Sequence, residues 1–204
     1  MSNGTKTYEF KPALLKRKHS YFVTQNQIQL ANKDGSDTVV RFDQITSLRY
    51  ADTAAREYKF RRLDIGYGDD KQMRIHLTST LSANANNDND LREFYKLLHT
   101  ISTQLNKART DLTITIGETP CINWIYFTIG TLTLLSAVGI LLGAYLSGVS
   151  DKKLMDSLVP ITLMAGFGAY ICFMAQPWIR RPNIDTANFK LLVEKFQQGG
   201  GTID

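Results

Sequence analysis

Residues 122–147 read INWIYFTIGTLTLLSAVGILLGAYLS, a run without one charged side chain. At about 1.5 Å of rise per residue, a helix of that length outruns the roughly 30 Å hydrocarbon core of a bilayer. A second uncharged run, residues 157–178 (SLVPITLMAGFGAYICFMAQPW), follows a connector, 148–156, whose only charges are Asp151, Lys152, Lys153 and Asp156. Together they predict a transmembrane helical hairpin over residues 121–178. The alternative is a buried pair of soluble helices, but these seldom run so long without a charge on some face.

The flanks of the hairpin orient it. Lys107 and Arg109 precede it and Arg180, Arg181, Lys190 and Lys195 follow it, against Lys152 and Lys153 in the connector. The basic excess places both termini in the cytoplasm, for a multi-pass protein of the inner (plasma) membrane. Nothing before Cys121 has the charged start, apolar middle and small-residue cleavage site of a secretory signal. Trp124, Tyr126, Tyr145 and Trp178 fall near span ends, where amphipathic rings prefer the headgroup level. Within the spans, Gly139, Gly143 and Ser147 form a small-residue row, and Ala165 and Ala169 offer another on the second helix. Small residues let helix backbones approach closely, so these five are the expected helix-packing positions, within the hairpin or against a second copy.

Ahead of the membrane, residues 1–19 read as a polar, basic tail. Residues 1–7 lack periodicity, Tyr8-Glu9-Phe10 fits a short edge strand before Pro12, and Lys16-Arg17-Lys18-His19 is the densest basic cluster in the chain. From Ser20 to Ser79 the period is two. Tyr21 and Val23, then Ile28 and Leu30, alternate with polar residues on either side of Gln25-Asn26-Gln27. Residues 33–37 (KDGSD) form a turn, residues 38–42 a strand, and Asp43-Gln44-Ile45 a corner into Ser47-Leu48-Arg49-Tyr50. After a polar interruption at residues 51–57 come a long strand at 58–67, a turn at 68–71 and a strand at 72–78 with Met73, Ile75 and Leu77 on one face. This predicts six or seven antiparallel strands. An Asn-rich loop, 81–89, then gives way to a helical period: Asp90 and Glu93 resemble a capping box, and Leu91, Phe94, Leu98, Ile101 and Leu105 make one apolar face. That face needs a sheet to cover.

The order YFVT, QIQL, VVRFDQITSLRY, a long strand pair around Gly-Asp-Asp, and the closing helix DLREFYKLLHTISTQL resembles the bacterial pleckstrin-homology-like domains over residues 20–107. In those proteins the domain is often joined to two membrane spans. The resemblance implies a small antiparallel sheet or partly open barrel capped by a C-terminal helix, a non-catalytic binding module, over residues 20–109. Phosphoinositide-binding members carry a Lys/Arg cluster on the first hairpin. The turn expected to be first here, Gln25-Asn26-Gln27, has none, so specific inositol-phosphate recognition is not expected.

A linker, 110–120, holding the β-branched run Leu112-Thr113-Ile114-Thr115-Ile116, leads to the spans, and residues 179–204 form a cytoplasmic tail. In that tail Asp185 or Thr186 can cap a short amphipathic helix with Phe189, Leu192, Val193 and Phe196 on one face, ending at Gly199-Gly200-Gly201. It can lie on the membrane or on the sheet domain. The fold class expected for the whole is therefore α+β with a transmembrane hairpin.

Catalytic chemistry finds no constellation. His19, His76 and His99 have no partners at ligand spacing, Cys121 and Cys172 give neither a disulfide framework nor a metal set, and Gly66-Tyr67-Gly68 lacks the third glycine of a dinucleotide loop. Neither enzyme activity, a metal nor another cofactor is expected. Residues 1–120 hold 18 Lys and Arg against 14 Asp and Glu, an excess too mild to predict nucleic-acid binding. No Asp, Glu, Lys, Arg or His interrupts the spans, which argues against a transport pathway. The expected function is a membrane-anchored binding or sensing module. Lys16, Arg17, Lys18, Arg61 and Arg62 would face an anionic lipid surface or a protein partner. The alternative is an oligomerising, channel-like membrane effector controlled by the sheet domain.

Overall fold

The computed structural model describes residues 4–31, 36–148, 150–179 and 181–198. The chain forms two compact units, one from residues 1–117 and 181–204, the other from residues 118–180. The expected turn at 33–37 lies partly, and Arg180 and the glycines at 199–201 wholly, outside the described residues.

The first unit is α+β with two sheets. Strands β1 (Lys6–Phe10), β2 (His19–Val23), β3 (Gln27–Ala31) and β4 (Thr38–Arg41) form an antiparallel meander. A single 3-10 turn, Phe42–Gln44, carries the chain to the second sheet, where β5 (Ile45–Ala55), β6 (Tyr58–Tyr67) and β7 (Lys71–Thr80) pair antiparallel. Two short strands extend this sheet beyond β5: β8 (Thr113–Ile116), parallel to β5, and β9 (Asn183–Asp185), antiparallel to β8. A β-bulge at Ile45/Ser47 brings the Ser47 hydroxyl so close to Gly66 that a side chain there would collide with it. Bulges bend a strand, and this one follows the corner between the sheets.

Helix α1 (Asn89–Ala108) closes the core. Its N-cap is Asp88, whose carboxylate accepts from the Leu91 amide at 3.0 Å, two residues before the expected cap at Asp90. Leu91, Phe94, Leu98, Ile101 and Leu105 are all buried, packed with Phe10, Tyr21, Leu63, Ile65 and Ile75 from both sheets and Phe42 of the 3-10 turn. Burying each such side chain contributes about 2 kcal/mol.

Several boundaries differ from expectation. Lys6 and Thr7, placed in an aperiodic tail, pair with Val23 and Phe22 in β1. The polar interruption at 51–57 does not break β5, which continues to Ala55 because Asp52 is ion-paired inside the sheet with Lys59 of β6. The turn falls instead at Arg56-Glu57, with Arg56 in the left-handed region at φ 54°.

The C-terminal amphipathic helix, α4 (Thr186–Gln197), belongs to this unit. Asp185 caps it, accepting from the Asn188 amide at 2.7 Å. Phe189 meets the Tyr50 ring edge-on at 5.5 Å, and Phe196 lies 5.6 Å from Tyr95. Thr186 bonds Asn106 and Glu194 meets His99, so α4 runs antiparallel to α1. Of the two places open to this helix, it occupies the sheet domain.

The second unit is a helical hairpin, α2 (Pro120–Leu146) and α3 (Asp151–Ala175). Both are long and apolar enough to cross a membrane, and only 11% of each apolar window is buried. Leu132, Leu135, Leu142, Leu163, Phe167 and Phe173 face outward. A soluble pair would bury such a face, whereas hydrocarbon accepts it.

Candidate functional site

The hairpin of β1 and β2 is built from the inside out. Tyr8, Phe10, Tyr21 and Val23 point into the core, Phe10 stacks on Tyr21 at 5.1 Å and meets Phe94 edge-on at 5.6 Å. The Tyr8 hydroxyl is 2.6 Å from that of Thr100 on α1. With the stem fixed, the eight-residue loop KPALLKRK at 11–18 is tied down at its base. The Lys11 amide donates to Asp90 at 3.2 Å, the Thr78 amide of β7 donates to the Pro12 carbonyl at 2.8 Å, and the Lys16 amide closes a turn on Ala13. The tip beyond these bonds projects Leu14, 71% exposed, and Leu15, 100% exposed, with Lys16, Arg17 and Lys18 beside them in solvent. Lys11 and Lys18 also border a polar hollow of about 500 Å³ with Ser82, Asp88 and Asp90.

Among the described residues this hairpin comes first, so the first-hairpin loop is 11–18, and Gln25-Asn26-Gln27 lies at the next turn, between β2 and β3. The expectation that the first hairpin lacks basic residues is corrected accordingly. Tyr8-Glu9-Phe10 alternates as an edge strand, but its pairing with β2, which makes 11–18 a hairpin loop, has no local signal in Lys6-Thr7.

The other two basic candidates part company. Strand alternation turns Lys59 and Arg61 inward and Arg62 outward. Arg61 is 4% exposed, donates from Nη1 to the Ser79 hydroxyl at 2.6 Å, and lies 5.7 Å from the Tyr95 ring centroid. Beside it the Lys59 ammonium is 3.2 Å from the Asp52 carboxylate, both nearly buried. Burial pushes the Tyr95 hydroxyl up to about 12 and Tyr50 well above its usual range. Arg61 is thus a buried member of the core's polar end and does not join the exposed set with Lys16, Arg17 and Lys18.

Arg62 sits on the outward face of the second sheet. Its Nε is 2.9 Å from Asp64, and the Nε of Arg74 on β7 is 2.9 Å from the other oxygen of the same carboxylate, which is 3% exposed. Arg49 of β5 is the cross-strand neighbour of Asp64, and His76 of β7 is that of Arg62. Phe60 and Tyr58, 45% and 39% exposed, continue the outward face of β6. Sequence reading missed Leu14, Leu15, Arg49 and Arg74. The adjacent Leu-Leu before a basic run was the one available signal.

In the second unit the helices cross at Gly130 and Gly168. A side chain on Gly130 would come within 2.9 Å of the Gly168 carbonyl and of the Cys172 amide. Asn123, Phe127, Leu134 and Ala137 continue this seam on α2 and Cys172 and Ala175 on α3, all buried or half-buried. Gly139 and Gly143 have open space within 4 Å of a would-be side chain, and Ser147 is exposed. Ala165 is half-buried and Ala169 exposed. The Gly139-Gly143-Ser147 row is therefore not where the hairpin packs on itself.

Among the described residues no group of three His, Cys, Asp or Glu side chains is placed to hold a metal, and Cys121 and Cys172 are free thiols. No protein-family model matches the chain, and no curated protein matches it significantly.

Proposed function

We propose that the protein is a non-catalytic, membrane-anchored binding module whose sheet domain, of the pleckstrin-homology-like kind, applies its first-hairpin loop to an anionic lipid surface. The observation that carries this reading is the exposed Leu14-Leu15 tip flanked by Lys16, Arg17 and Lys18. Two leucines are worth about 1.5–3 kcal/mol each when removed from water, and each cation contributes on the order of 1 kcal/mol near an anionic leaflet. A loop of this kind binds weakly alone. On a chain already tethered by its hairpin, weak affinity suffices because the local concentration of lipid is high.

Both flanks of the hairpin, β8 before it and β9 and α4 after it, belong to one domain. Helices that both cross a bilayer then leave that domain on a single side, and the basic residues around the hairpin favour the cytoplasmic side of the inner membrane. The test uses the full chain held in phosphatidylcholine nanodiscs and mixed with vesicles containing phosphatidylglycerol. Binding that falls at high salt, and is lost in Leu14→Ser/Leu15→Ser, is the expected result. No binding, with a polypeptide captured by the same loop instead, would turn the reading to a protein partner.

A second reading, an oligomerising effector, is favoured by the open space around Gly139 and Gly143. In that case replacing both with Leu reduces oligomer size in detergent; an unchanged size removes it.

A further inference from the structure

The loop at 11–18 does not stand alone on its side of the domain. We infer that the outward face of β6 and β7, joined to the loop through His19 and His76, forms with it one contact face for an anionic bilayer, and that this face holds the bilayer more tightly as pH falls. The inference rests on the lipid reading of the loop.

Continuity comes first. The bond from the Thr78 amide to the Pro12 carbonyl pins the base of the loop along the edge of β7, and Thr78 is the cross-strand neighbour of Phe60. Successive rows of the outward face hold Tyr58 with Thr80, Phe60 with Thr78, Arg62 with His76, and Asp64 with Arg74. Exposed aromatic rings thus lead into a basic end. There Arg62 and Arg74 share the Asp64 carboxylate, with Arg49 as its cross-strand neighbour on β5. Aromatic and aliphatic side chains interleaved with arginines suit the headgroup layer, where ring and guanidinium both find partners.

The histidines lie where loop and sheet meet. His76 is half-buried, its Nδ1 is shielded from solvent without a hydrogen-bond partner, and its proton affinity is lowered by burial and by His19, Arg74, Lys16 and Arg62 around it. His19 is lowered in turn by burial and by Lys16. Among the described residues, the charged groups facing the pair are therefore His19 on β2, Lys16 on the loop, Arg62 on β6 and Arg74 on β7. Across β6, the β5 member of the His76 row is Ala51. Glu9 on β1 accepts from the Ser20 hydroxyl, on the alternate side of the hairpin from His19, and Asp64 is taken by Arg62 and Arg74. Among the described residues no carboxylate is one of the groups that shift the two rings, and both hold protons less readily than a free imidazole, so both are neutral at pH 7.5. An anionic surface laid over them would supply the missing counter-charge, and each proton taken up adds one cation to the face.

The experiment measures the affinity of the full chain in phosphatidylcholine nanodiscs for phosphatidylglycerol vesicles at pH 7.5 and pH 5.0, with phosphatidylcholine vesicles as the uncharged control. Phosphatidylglycerol keeps its charge over this range. Two added charges near the surface predict an affinity ratio between the two pH values on the order of tenfold. In His19→Gln/His76→Gln the ratio is expected to fall to about one, whatever the affinity at pH 7.5. In Leu14→Ser/Leu15→Ser binding weakens at both pH values while the ratio persists, and Phe60→Ser/Arg74→Gln weakens binding although the loop is intact. A wild-type ratio of one, or a double-glutamine variant that keeps the tenfold gain, overturns the inference and leaves the loop reading standing. Absence of binding at both pH values removes both.

Discussion

Asp52 is ion-paired with the buried Lys59, beside the buried Arg61, at the end of the core near Tyr95. Removing one member of such a group strands the others, which costs more than the pair itself is worth. Asp52→Ala is therefore expected to destabilise the first unit by about 3–5 kcal/mol, read from thermal unfolding of the detergent-solubilised chain. Exposed Lys16→Ala would leave that midpoint within about 0.5 kcal/mol. The histidines give a pH dependence of opposite origin. His19 and His76 bind protons less readily in the fold than in the unfolded chain, so the unfolded state takes up more protons as pH drops below about 6.5. Their contribution is complete at pH 7.5 and is lost as pH falls toward their folded values, and His76→Gln is expected to flatten that decline in unfolding midpoint. What a strand's alternation tells is the side on which a residue lies, so the inward direction of Lys59 and Arg61 was legible. Their burial was not, because it depends on α1 and α4 lying over that end of the sheet.

The terminal helix shows how an element can be recognised while its place is not. Phe189, Val193 and Phe196 at helical spacing, and a cap at Asp185, were readable. The choice between a bilayer and a sheet was not, since both present an apolar face. The structure resolves it through Tyr50 and Tyr95, whose rings take Phe189 and Phe196. Phe189→Ala is expected to cost about 3–5 kcal/mol. Leu191→Ala, at an exposed position on the same helix, should cost under about 0.5 kcal/mol, and Asp185→Ala about 1 kcal/mol through its lost cap. Chemical denaturation of the three variants separates these effects. If α4 lay on lipid, Phe189→Ala would leave the domain's midpoint alone. Strand β1 was half legible for a related reason: Tyr8-Glu9-Phe10 alternates, but Lys6-Thr7 gains its strand only from pairing with β2.

Across the molecule, the two apolar helices were evident in the sequence because a charge-free run needs no tertiary information. Their contact was not, because small residues line several faces and only the packed hairpin selects one. Selection falls on Gly130 and Gly168, where backbone meets backbone. With Cys121 replaced by Ser, Thr131→Cys is expected to crosslink to Cys172 on mild oxidation, since the Thr131 hydroxyl is 3.6 Å from that sulfur. Gly130→Leu should abolish the crosslink and Gly139→Leu should preserve it. The pairing of β8 with β9 carries a further consequence. The sheet begun at Ile45 is completed only by Asp185, after both apolar helices have been synthesised. While the hairpin is still being synthesised, Tyr50 and Tyr95 await the aromatic partners that cover them in the finished fold, so synthesis of both apolar helices precedes maturation of the domain. A nascent chain halted before Phe196 would present that aromatic surface to chaperones and proteases, making the last helix the element that closes the domain.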